Sequence, residues 1–167
     1  MKNRKNASGV FFSVFSAKTK HGGVFMAENT ELLDYIYQNA QMGTESISHL
    51  IKIAEDVDFR RTLEDQLCEY QRVLDDAEEM IQRRGQSAEG VGPMAKISSY
   101  IMVELKTFAD KSSSKMAKMM LQGSTMGVLE ITKRIKEYKG ANKEVLKLAE
   151  DLLKTEQHNV DELKKYL

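Results

Sequence analysis

Three histidines and a single cysteine are the scarcest of the residues that these 167 positions offer to nucleophilic attack and metal ligation. Cys68 has no histidine and acid at a spacing that would make it a nucleophile, and Ser112 to Ser114 have no base close in sequence. His49 and His158 read as solvent-facing. Glu45 and His49, four residues apart, share a helix face and could take up zinc adventitiously, although pairs at that spacing are ordinarily just neighbours. Met116, Met119, Met120 and Met126 crowd one segment beside Gly123 and Gly127. Flexible, polarizable thioethers suit irregular core packing first, an adaptable interface second, and a soft-metal site at Met116 and Met120 a distant third. No intact catalytic or metal motif stands in the chain, so its residues speak of architecture before they speak of a reaction.

Composition narrows that architecture. A chain of this length with 41% hydrophobic residues can bury one good core. One proline (Pro93), no tryptophan, 7% aromatic and 30% charged residues favour an all-α protein. A lone cysteine permits no internal disulfide and favours a reducing compartment, with the cytoplasm as the expectation. No apolar stretch approaches the roughly 18 to 20 residues that a membrane-spanning helix needs.

The net charge of zero hides two unequal parts. The first 25 residues hold Lys2, Arg4, Lys5, Lys18 and Lys20 and no acid, which leaves 20 basic against 25 acidic residues, a net −5, for the rest. A body of that sign argues against a nucleic-acid partner. The basic leader has three readings: a secretory signal around Val10 to Phe15, a basic arm that docks a partner or an anionic surface, or translated upstream sequence. The last is preferred, because Gly22-Gly23-Val24 must be encoded GGN-GGN-GTN, which can contain the GGAGG of a bacterial ribosome-binding site ahead of a start at Met26. Residues 1–25 are then expected to be a disordered leader, and 26–167 a single helical domain.

The elements that would position any site follow from hydrophobic rhythm and punctuation. A first helix is expected from an N-cap at Asn29 or Thr30 to about Asp56, with Leu32 or Leu33, Ile36, Ala40, Gly43, Ile47, Leu50 and Ala54 in line. Asp58 is expected to cap a second, with Leu63, Leu67, Tyr70, Leu74, Ala77 and Ile81 inward, stopped by Arg83-Arg84-Gly85. Pro93 to about Ala109 reads as a short helix carrying Ile97, Ile101, Leu105 and Phe108. A third long helix runs from about Ser113 to Tyr138, with Ala117, Met120, Gly127, Ile131 and Ile135 inward. Asn142 caps the last, with Val145, Leu148, Leu152, Val160 and Leu163. Gly123 and Gly127 are expected to permit close packing against Ala40 and Gly43. Short links make two antiparallel hairpins, and the segment between the second and third long helices is long enough to cross the bundle.

From Glu31 to Leu167 this pattern resembles the ferritin-like superfamily, in particular its rubrerythrin-type and other small bacterial members. The shared features are Leu32-Leu33 ahead of a small-residue-rich first helix, a polar second helix, and carboxylates on the inner line of the last. The resemblance implies an antiparallel four-helix bundle with a short extra helix in the long crossover. It also implies a two-metal site of iron or manganese, built from a Glu on each of two helices and Glu-x-x-His on the other two. Here the second helix has Glu69-Tyr70-Gln71-Arg72, with a cation in place of imidazole. The last has Glu156-Gln157-His158-Asn159, with histidine one position early. The inward position of the first helix falls at Asn39. Glu69, Glu130 and Glu156 remain as the metal-ligand set the resemblance implies.

The preferred expectation is that the site has become a metal-free polar layer of Asn39, Arg72 and Asn159, with Arg72 bridging to Glu69 or Glu130. Glu156 and Asn159 fall on the apolar line with Leu152 and Leu163 and would need partners. The function that follows is a non-enzymatic bundle, structural or engaging a protein partner or a second copy, with no cofactor. The alternative is a di-metal carboxylate protein.

Overall fold

The computed structural model describes residues 8–85 and 111–167, with side chains from Asn29 onward. Among the described residues there are four α-helices, a closing 3-10 turn and no strand: α1 (Ser8–Ile53), α2 (Val57–Arg83), α3 (Ser113–Glu137), α4 (Lys143–Leu163) and the turn Lys164–Tyr166. The short helix expected over 93–109 lies outside the described residues.

α1 begins at Ser8, so Asn29 and Thr30 lie inside a helix and do not start one, and the helix runs through most of the expected leader. No proline precedes Pro93, so nothing in α1 removes a backbone donor. Asn29 caps nonetheless, because its Oδ1 accepts from the backbone N–H of Asn142 (2.6 Å). α2 starts two residues earlier than expected. Asp56 is the N-cap and accepts from Phe59 N–H (2.8 Å), which leaves Asp58 to favour the positive end of the helix from the first turn. Gly85, at φ +68°, provides the left-handed residue that lets the chain leave α2. Ser112 and Asn142 cap α3 and α4 through Lys115 N–H and Glu144 N–H.

The inward line of α2 also differs from the expected one. Phe59, Leu63, Gln66, Tyr70, Val73, Ala77 and Ile81 are buried, whereas Leu67 and Leu74 are only partly covered. The steps are all of three or four residues, as required to hold one seam inward. A line drawn through the leucines slips by one position and loses Gln66 and Val73. On α1 the line is as expected, with Leu32, Leu33, Ile36, Ala40, Ile47, Leu50 and Ala54 buried. Each fully buried Leu, Ile or Phe contributes about 1.5–3 kcal/mol of burial free energy.

The helix directions follow from a few hydrogen bonds. Tyr138 donates to Glu31 (2.7 Å), beside the Asn142–Asn29 bond, so α4 starts next to the Glu31 region of α1. At the other end, the Thr62 and Tyr166 hydroxyls lie 2.8 Å apart and Tyr166 packs edge-on against Phe59. α1 and α4 therefore run the same way, while α2 and α3 run opposite to them. The end of α2 and the start of α3 fall at opposite ends of the helices, a separation of about 37 Å for the 25 residues of α3. α1 packs mostly on α2 and α3 mostly on α4; α4 also contacts α1 and α2, whereas α1 and α3 meet only slightly. Among the described residues no helix is long and apolar enough to cross a membrane.

Candidate functional site: a buried carboxyl in a neutral polar layer

The place where α1 and α3 part is where the interior turns polar. Glu156, from the inner line of α4, is buried at 2% exposure and its Oε2 has no hydrogen-bond partner among the described residues. Around it stand Asn39 of α1, Tyr70 of α2 and Ser124 of α3, all buried, and with it they line a cavity of about 60 Å³. Asn159, one turn further along α4, is fully buried, and neither of its amide atoms has a partner. Gln66 is in the same condition.

Two glycines make this layer possible by close approach. A Cβ on Gly43 would stand 2.7 Å from the Tyr70 ring, and one on Gly127 would stand 2.6 Å from Glu156 Oε1. Each helix therefore presents bare backbone where a neighbour carries a large polar side chain. Gly127 packs against the Glu156 carboxyl, not against Ala40 and Gly43 as expected, and Gly123 has open space in front of it.

Burial governs the electrostatics. Glu156 is pushed up to about 7 by desolvation, while the Tyr70 and Ser124 hydroxyls and the Asn39 amide favour its charged form and oppose the rise. Tyr70 is held well above its ordinary value by burial first and by the nearby Glu156 carboxyl second, so it stays a neutral hydroxyl. Tyr35 is pushed up to about 12, chiefly by burial, and accepts a hydrogen bond from Asn39 (3.4 Å). The Arg134 guanidinium lies over the Tyr35 ring, 4.2 Å from its centre, and joins α3 to α1 on the flank of the layer.

The three carboxylates of the expected metal set are not brought together. Only Glu156 is inside. Glu130 sits on the exposed side of α3, 3.8 Å from Arg134 of its own helix. Glu69 is half-buried at the α2–α4 seam, 3.8 Å from His158 Nε2; burial raises its carboxyl, with His158 and Arg72 opposing. Among the described residues no group of three His, Cys, Asp or Glu side chains could hold a metal ion. This donor set does not fit a two-metal carboxylate centre.

The polar layer departs from the expected one at one position. Asn39 and Asn159 are in the interior, but Arg72 is exposed, because Val73 takes the inward place on α2 and turns Arg72 to solvent. No guanidinium fills the layer, and Tyr70 and Ser124 supply its polar groups instead. Tyr70 was legible as an inward residue, and a buried phenol calls for a polar neighbour. Ser124 carried no signal beyond its position between two glycines. Comparison with known proteins returns nothing, since no family model, no curated protein and no solved structure matches the chain.

Proposed function

We propose that this chain is a non-enzymatic helical bundle of ferritin-like arrangement, with a structural or protein-interaction role. The observation that carries the reading is the interior layer itself, where one carboxyl stands among neutral amides and hydroxyls. Such a layer has the chemistry to fix helix register, since any slip would take the Glu156 carboxyl away from the Tyr70 and Ser124 hydroxyls and the Asn39 amide, at a cost on the order of 1–3 kcal/mol per group left unsatisfied. The parallel α2 and α3 with a long connection between them support the ferritin-like arrangement. Met126 and Leu129, on one face of α3, are 61% and 66% exposed and give a partner protein or a second copy an apolar hold.

Sedimentation equilibrium over a wide concentration range tests the role, using wild type beside a Met126→Glu/Leu129→Glu variant. Reversible association that the double variant loses supports an interaction role through α3. A strict monomer at every concentration counts against self-association. The alternative, a di-metal protein of iron or manganese, has against it that Glu69 and Glu130 stand apart from the buried Glu156. Two metal equivalents retained per chain after desalting would put that reading first.

A further inference from the structure

The cavity beside Glu156 is open where α1 and α3 part, and its walls differ from its floor. Met42 and Ser46 of α1 face Met120 and Gly123 of α3 across its mouth, and the Glu156 carboxyl with the Tyr70 hydroxyl lies deep. At about 60 Å³ it has room for about four to six water-sized groups. Of the residues lining it only Glu156 can carry charge at neutral pH, because Tyr70 keeps its proton. One negative group, neutral oxygens beside it and two thioethers at the entrance describe a ligand with one positive, hydrogen-donating end and a short apolar remainder. With one carboxylate and no second acidic or imidazole ligand, the site is too poor in charge for a divalent ion.

We propose that this cavity is a binding site for a short primary ammonium compound, with its ammonium at the Glu156 carboxyl and its alkyl part between Met42 and Met120. The ammonium supplies what the lining lacks, a positive charge beside its one carboxyl. Asn39 and Ser124 offer further acceptors for its remaining N–H groups. The inference is independent of the exposed face of α3, and its failure would leave the interaction role untouched.

The test is a titration of the full chain with ethylammonium chloride, read by the methyl resonances of Met42 and Met120. Propionamide, similar in size and uncharged, and tetramethylammonium, charged without N–H groups, are the controls. Saturable shifts with a Kd on the order of 1 mM are expected for ethylammonium alone, the strength a ligand of a few heavy atoms can reach. Glu156→Gln should weaken binding at least tenfold. Gly123→Leu, whose Cβ would meet nothing within 4 Å, should keep the fold and narrow the mouth, again weakening binding. Absence of saturation overturns the proposal, as does equal binding of either control. Unchanged affinity in both variants overturns it too, and if Glu156→Gln does not fold, Gly123→Leu decides alone.

Discussion

Replacing Glu156 by glutamine should make the protein more stable in mild alkali and leave it nearly unchanged in acid. In the folded chain the carboxyl titrates at about 7, against 4.5 when free. Between those values the folded state holds a proton that the unfolded chain has released, so stability falls as pH rises through the window, and above it the whole cost is present. The difference of about 2.5 units corresponds to about 3 kcal/mol. Glutamine keeps the shape without the charge, and water in the adjoining cavity can serve its amide. Urea unfolding followed by circular dichroism should therefore show the variant about 1–3 kcal/mol more stable than wild type at about pH 8, with the advantage gone near pH 4. Glu69, raised by burial as well, leaves a smaller slope of the same sign in the variant. A difference that does not change with pH, or a wild type that is the more stable at pH 8, would refute the claim that a buried unpaired carboxyl sits in this layer.

Two glycines, Gly123 on α3 and Gly43 on α1, predict opposite outcomes. Gly123→Ala fills open space and raises helix propensity, so unfolding free energy should rise by about 0.5–1 kcal/mol. Gly43→Ala drives a methyl into the Tyr70 ring and should lower it by about 1–3 kcal/mol, as read by denaturant midpoint. Asp56→Ala removes the cap of α2 and should cost about 1 kcal/mol, whereas Asp58→Ala should cost less than half of that, about 0.3 kcal/mol. Arg72→Ala should change stability by under about 0.5 kcal/mol, since Arg72 is on the surface; a larger loss would return it to the interior.

The all-helical fold and most of its core were legible because heptad-like spacing constrains inward residues on several turns at once. Asn142, Gly85 and the inward line of α1 were read correctly from capping chemistry and periodicity alone. The error on α2 has a physical cause. Leu67 and Leu74 are more hydrophobic than Gln66 and Val73, and a line chosen by hydrophobicity passes through them, although the seam fixed by Phe59, Leu63, Tyr70 and Ala77 does not. Arg72 was placed inward for another reason, its position three residues after Glu69 in the motif the resemblance implies, and Val73 holds that inward place instead. Glu156 and Asn159 were legible as polar residues on an apolar line, and Asn39 as the position where the resemblance puts an inward carboxylate. What surrounds them was not, because contacts between helices distant in sequence depend on relative rotation and offset, which no single helix encodes. The two glycines illustrate this, since the sequence marks Gly123 and Gly127 alike, yet only Gly127 meets a neighbour.

Metal content tests the central claim most directly. The full chain would be incubated anaerobically with Fe(II) or Mn(II), desalted, and measured by mass spectrometry. A layer with one buried carboxyl should retain no stoichiometric metal, and Glu156→Gln should give the same result as wild type. Two equivalents retained per chain, lost in Glu156→Gln, would contradict the account and restore Glu69, Glu130 and Glu156 as a working ligand set.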